Sequence, residues 1–210
     1  MDNFDRKKHW EGIYDTKDTQ RVSWFQPTPE TSLDLIKELN IPLTAKIIDV
    51  GGGDSLLVDT LLELGYEDIT VLDISEKSLE NAKKRLGELA NQVTWIVADI
   101  AEFVPPTKYD LWHDRAAFHF LTKTDEINSY VQTVANGIAP EGKMIIGTFS
   151  EQGPSKCSGI EIALYSEPKL TALFAQNFSK IRCKKVDHET PSGALQNFIF
   201  CCFSKLSKVR

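Results

Sequence analysis

The sequence predicts an α/β fold: a doubly wound, mostly parallel seven-stranded sheet with helices on both faces and a C-terminal antiparallel hairpin. Three observations predict it. Short β-branched runs alternate with amphipathic stretches from residue 45 onward. The first run, "KIIDVGGGDS" from Lys46 to Ser55, ends in an acid and three glycines just before helical sequence. The last two runs are separated only by "TPSG", too short for the crossover of a dozen or more residues that a parallel pair needs.

Taken in order, the first strand is "AKIIDV" (45–50), and the glycines after it allow a sharp turn or close backbone approach because they carry no Cβ. A helix over 55–64 follows, with Asp54 or Ser55 as its cap. "DITVLD" (68–73) is the second strand, and Ser75 caps a helix over 75–89 whose charges, spaced three and four apart, suit a solvated face. "QVTWIVAD" (92–99) and "YDLWHD" (109–114) are strands three and four, followed by a helix over 123–138. "PEG" at 140–142 reads as a turn ahead of strand five, "GKMIIGTF" (142–149). A long Gly/Ser-containing loop leads to a helix over 166–176 and then to the hairpin strands "SKIRCKKVDHE" and "ALQNFIFCCFSK". No linker or repeat divides the chain, so 1–210 reads as one domain: an N-terminal segment (1–40), a core (41–150), and a loop with the hairpin (151–210).

Composition narrows the function. The 210 residues are 41% hydrophobic and 26% charged, enough apolar material for a sizeable core. A net charge of -6 without a dense Lys/Arg block argues against nucleic-acid or anionic-membrane partners. No apolar run approaches the ~20 residues of a membrane span, and "MDNFDRKKHW" lacks a signal-peptide core, so a cytoplasmic protein is expected, as monomer or homodimer. Cys157, Cys183, Cys201 and Cys202 form no C-x-x-C pair and read as free thiols, the last two in the core; no metal is expected.

A strand, a glycine turn and a helix start offer backbone N–H groups to an anionic group. The dinucleotide pattern G-x-G-x-x-G begins at Gly51 and Gly53 but meets Leu56 at its third glycine, which disfavours NAD. Asp73 ends the second strand 22 residues after Gly51, where an acid accepts hydrogen bonds from both hydroxyls of a ribose. Asp99 ends the third strand. In an open α/β sheet these carboxyl ends share one crevice, with Asp99 beside an adenine amino group and Ile74 and Ile100 packing the ring.

Through "IIDVGGGDS", "VLDIS", "VADI", "YDLWHD" and "IAPEGKMII", residues 40–150 resemble the class I S-adenosylmethionine-dependent methyltransferases. The resemblance implies a Rossmann-like sheet and S-adenosyl-L-methionine as cofactor, with Gly51 and Gly53 at its methionine moiety; Ser55 stands where the family's third glycine usually lies. "HWEGIYDTKDTQRVSWFQ" resembles the W-x-x-x-Y opening of small methyltransferases, including those that modify lysine on elongation factors. In those relatives the segment closes over the cofactor, which would put Trp10, Tyr14 and Trp24 at its methionine end. Spacing alone reads Trp10 and Tyr14 as helix packing. By the same resemblance Arg115 touches the cofactor.

Methyl transfer from a sulfonium is an in-line displacement, and a base is needed only if the nucleophile starts protonated. "WHDRAAFHF" brings Asp114 and His119 to the crevice as catalytic candidates, His119 as the base, while His113 reads as structural. Cys157 and Tyr165 in the loop after strand five, and His188 and Glu189 before the hairpin turn, are candidate substrate contacts. The reading is methyl transfer to an O, N or S atom of a small molecule. Protein-lysine methylation is the alternative, then a non-catalytic cofactor-binding module, and last a nicotinamide oxidoreductase.

Overall fold

The structure, a computed structural model, describes residues 4–207. Seven strands form one sheet in the order β3-β2-β1-β4-β5-β9-β8. They are β1 (Lys46–Val50), β2 (Asp68–Asp73), β3 (Val93–Val97), β4 (Tyr109–Arg115), β5 (Ile138–Phe149), β8 (Phe178–Glu189) and β9 (Leu195–Lys205). The first five are parallel; β9 runs antiparallel to both β5 and β8. The strand order reverses between β1 and β4, and that switch point is where such sheets open a crevice at their carboxyl ends.

Strand side chains alternate between two cores, as a period of two requires. Ile48, Leu72, Trp112, Ile146 and Cys201 point to one face, against α5 (Thr124–Gly137) and α6 (Glu167–Phe174) through Tyr130, Val134, Leu170 and Phe174. Ile47, Val71, Leu111, Ile145 and Cys202 point to the other, against α2 (Glu30–Glu38), α3 (Leu57–Glu63) and α4 (Glu76–Leu86) through Leu35, Leu61 and Leu79. Side chains such as Leu61, with no exposed surface, each contribute roughly 1.5–3 kcal/mol by leaving water.

Several boundaries differ from expectation. "PEG" lies inside β5: pairing jumps from Tyr109↔Ile138 to Leu111↔Lys143, and Glu141 takes a φ of 64°. The extra residues loop out of a strand that has already begun, which makes this an internal bulge. Helix α3 starts at Leu57, later than expected, because Ser55 Oγ accepts the Leu57 N–H (3.2 Å) while Asp54 pairs with Arg85. The N-terminal segment is largely helical, with α1 (Arg6–Thr16) and α2. The loop after β5 folds into an antiparallel ribbon of β6 (Lys156–Cys157) and β7 (Ile160–Glu161), turned by Ser158 and Gly159 at positive φ.

The expectation of four free thiols is corrected. Cys183 and Cys201 face each other across β8 and β9 with Cα atoms 4.1 Å apart and form a disulfide; Cys157 and Cys202 are free. Sequence spacing missed this pair because hairpin register, rather than a local motif, brings it together. Among the described residues no helix is long and apolar enough to cross a membrane.

Candidate functional site

The crevice forms where β1 hands the chain to its glycine turn. Gly51 and Gly53 adopt φ of 66° and 47°, which side chains with a Cβ rarely take. Space forbids a Cβ as well: at Gly51 it would sit 2.5 Å from Ala117 Cβ, and at Gly53 2.8 Å from Tyr14 Oη and 2.9 Å from Asp73 Oδ2. The N–H groups of Gly51 and Gly52 donate to Leu72 O (2.7 and 3.3 Å), tying the turn to β2.

Asp73 ends β2 only 6% exposed, and its Oδ1 accepts the Ser75 N–H at 2.8 Å. Burial pushes its carboxyl up to about 7, against the hydrogen bonds from Ser75 and Ser78 and with the help of nearby Asp49 and Glu11. Ile74 and Ile100 line the same crevice.

Helix α1 closes the crevice from above. Asp5 caps it, and Arg6, Trp10 and Tyr14 recur at four-residue spacing on its crevice side. Trp10 meets Trp24 and Phe120 edge-on at 5.6 and 5.1 Å, so the aromatic pair both packs the helix and lines the cavity. Glu11 accepts from Ser75 Oγ (2.9 Å) and from the N–H groups of Glu76 (2.8 Å) and Lys77 (3.1 Å), at the N-terminus of α4. Partial burial opposes the Glu11 charge, but these bonds outweigh it and hold its pKa below the usual range. Arg6 pairs with Glu126 (2.7 Å) and Asp99 (3.5 Å).

Arg115 forms a wall. Its Nη1 donates to Trp24 O (3.1 Å), its guanidinium lies 5.4 Å from the Phe198 ring centre, and its Nη2 is buried without a partner. Burial lowers its pKa to about 10. A second cavity on the far side of Phe25, Gln26 and Arg115 is lined by Thr31, His188 and Glu189. His188 Nε2 is 2.7 Å from Ser23 O.

The crevice thus gathers Trp10, Tyr14, Trp24, Gly51, Asp73, Ile74, Ile100, Arg115 and Cys157. Gly53 adjoins it beneath Tyr14, and Asp99 is reached through Arg6. The two catalytic candidates are not brought to it. Asp114 is fully buried, with Oδ1 accepting the N–H groups of Ala117 and Phe118 (3.1 Å each) and Oδ2 accepting from Tyr130 Oη (2.6 Å). Burial raises its pKa to about 6. His119 is fully buried too, stacked on Phe149 at 4.8 Å; burial, with Arg115, drives its pKa down to about 3. The chain reverses at Ala116 (φ 67°) and enters a short 3-10 turn, which swings the imidazole inward. Tyr165 packs in the α5/α6 core, away from the crevice.

The residue that faces the cavity instead is His113. Its Nδ1 lies 2.7 Å from Asp49 Oδ1 and its Nε2 2.9 Å from Ser32 Oγ, and all three line the crevice. The parallel register Asp49↔His113 sets the first contact, a signal that pairing strands one and four would have supplied; nothing local marked Ser32.

Residues 47–142 match a family model described as a methyltransferase domain. The chain is 23% identical over 99% of its length to the eEF1A lysine and N-terminal methyltransferase of Mus musculus, covering 32% of that protein, and so spans about a third of this curated relative. It is 31% identical over 50% of its length to the malonyl-[acyl-carrier protein] O-methyltransferase of Anoxybacillus flavithermus, covering 39% of it. The solved 1,6-didemethyltoxoflavin-N1-methyltransferase of Burkholderia thailandensis, with S-adenosylhomocysteine bound, superposes with a TM-score of 0.73 at 21% identity, covering 96% of this chain and 87% of that one.

Proposed function

From the premise that the chain carries a class I S-adenosylmethionine-dependent methyltransferase domain, we propose that it transfers a methyl group to an O, N or S atom of a small molecule. The observation that carries this reading is the convergence of the strained glycine turn, the Asp73 carboxylate and the aromatic lid on one crevice.

The residues fit the cofactor. Gly51 and Gly53 leave the room that a Cβ would fill, Asp73 offers a buried acceptor for a ribose diol, and the spare Nη2 of Arg115 offers a donor for a carboxylate. Bound there, the cofactor supplies an electrophilic methyl on a sulfonium. In this reading Ile74 and Ile100 clasp the adenine and Asp99 reads its amino group, while Trp10, Tyr14 and Trp24 exclude water around the reacting end. Asp114 and His119 act as supports of the wall, Asp114 by holding the turn that carries Ala117 and Phe118.

The test is transfer of radiolabelled methyl from S-adenosylmethionine into cell extract, separated by mass, with Asp73→Ala as control. Label in the low-mass fraction is expected. Label in one protein band would instead favour the lysine reading, which is supported by the full-length likeness to the eEF1A enzyme. Cofactor binding with no label in any fraction would leave a non-catalytic module. The reading includes a cytoplasmic protein, monomer or homodimer, without nucleic-acid or membrane partners. The Cys183–Cys201 pair pulls against a reducing compartment, and non-reducing mass analysis of protein taken from cells decides that point.

A further inference from the structure

We propose that Ser32, His113 and Asp49 form a proton relay that deprotonates the methyl acceptor, so that the acceptor attacks through an O–H or N–H group. The inference rests on the methyl-transfer reading and narrows its substrate class: a thiolate or a tertiary amine would need no such relay.

The geometry carries it. Three polar side chains, 1%, 2% and 3% exposed for Ser32, His113 and Asp49, are linked end to end at 2.9 and 2.7 Å. An ionised carboxylate only accepts hydrogen bonds, so Asp49 fixes the proton on Nδ1. In the relay, a ring carrying its proton on Nδ1 turns the lone pair of Nε2 toward the Ser32 hydroxyl. This is the logic of a nucleophile–base–orienter chain, applied here to removal of a proton.

Position points the relay at the acceptor. Ser32 lies in the first turn of α2 and, like Pro29, lines the cofactor crevice, while Glu30 and Thr31 just before it line the second cavity. Phe25 and Gln26 belong to both cavities. Ser32 therefore belongs to the crevice lining and directly follows Glu30 and Thr31 of the second cavity, which places the relay beside the residues the two cavities share. No other histidine lines the crevice among the described residues.

In the step, the acceptor X–H bond breaks as X–CH3 forms. The acceptor proton passes to Ser32 Oγ while the Ser32 proton passes to His113 Nε2. The product is a neutral thioether, a methylated acceptor and an imidazolium paired with Asp49, which later loses its proton to solvent. The charged groups around His113 are Asp49 on β1, Asp73 on β2, and Asp114 and Arg115 on β4; Tyr14 of α1 and Cys157 of β6 also face the crevice. The charges of α2 at Glu30 and Asp34 are exposed.

Nitrogen-15 NMR of the imidazoles in the full chain, with and without S-adenosylhomocysteine, tests the chemistry directly, with His113→Asn assigning the signals. The expected result at pH 7–8 is protonated Nδ1 and unprotonated Nε2 at His113. An Nε2–H ring, or an imidazolium that persists above neutral pH, cannot accept the proton and overturns the relay. In the extract assay, Ser32→Ala should slow labelling by about 10²-fold, the low end for loss of a general base, beyond any change in S-adenosylhomocysteine affinity measured on the same variant. Ser32→Thr should restore it. Ser32→Ala labelling at the wild-type rate also overturns the proposal. Wild-type protein that binds S-adenosylhomocysteine but labels nothing overturns the methyl-transfer reading instead, and the NMR arm still decides the ring's protonation.

Discussion

The floor and the lid of the crevice are built on opposite principles. The floor is backbone and buried carboxylate: a glycine turn pinned to Leu72 O, with Asp73 beneath it. The lid, α1, has no fully buried residue and is fastened mainly by Glu11 on the α4 N-terminus, by Arg6 on Asp99 and Glu126, and by aromatic edges. A floor of this kind has one conformation and fails when its shape changes. A lid with no fully buried residue is expected to open at lower cost than the sheet beneath it unfolds, and the kinetics of cofactor release measure that difference.

The comparison breaks most readily at the floor. Gly51→Val places a Cβ against Ala117 at a φ of 66°, and an expected loss of about 2–4 kcal/mol in denaturant unfolding follows from overpacking and backbone strain together. Asp73→Ala removes the carboxylate proposed as the ribose acceptor and should leave the sheet intact. Calorimetry should show S-adenosylhomocysteine affinity falling by about 10- to 150-fold, the worth of hydrogen bonds to a charged group at 1.5–3 kcal/mol. An unchanged affinity would move the ribose elsewhere.

Asp73 also gives the floor opposite pH responses when empty and when filled. Its pKa rises from 3.8 unfolded to about 7 folded, so its contribution to the stability of the empty protein is full below 3.8 and is lost as pH rises toward 7. Binding that needs the ionised carboxylate should strengthen over the upper part of the same window. Melting curves and titrations from pH 5 to 8 check both slopes, and Asp73→Asn should flatten them.

At the lid the effects are smaller. Glu11→Gln keeps the shape but removes the charge at the α4 N-terminus, worth about 0.3–1 kcal/mol, so S-adenosylhomocysteine release should quicken by about two- to fivefold in stopped-flow tryptophan fluorescence. Release unaffected by this change would mean that Arg6 and the aromatic contacts hold the lid without Glu11. His119→Leu should have the least effect on chemistry, changing labelling by less than about twofold where loss of a true base costs 10²-fold or more.

The ends of β1 and β2 on one side and of β4 on the other show how far the site was legible. Asp73 and the glycines were readable because strand-end position and the absence of a Cβ are local properties, carried by "IIDVGGGDS" and "VLDIS". The histidines of "WHDRAAFHF" were not. Whether His113 or His119 meets the crevice depends on one residue in the left-handed region, Ala116, and on which strand pairs with β4. Cys183 and Cys201 were misread for the same reason, since only the β8/β9 register sets them face to face. The second cavity was half visible: strand direction put His188 and Glu189 at the crevice edge, and the N-terminal segment was expected over the cofactor, but nothing local showed that Phe25 and Gln26 would also wall a second cavity.

By itself the sequence determined the fold class: hydrophobic period two and glycine punctuation fix a doubly wound sheet with a crevice at its switch point, where the strand-end acid Asp73 lies. The tertiary structure alone decided which polar groups share a cavity. Those choices rest on contacts between residues as far apart as Ser32 and His113, or Glu11 and Ser75, which form only when packing brings separate elements together and which leave no periodic mark along the chain.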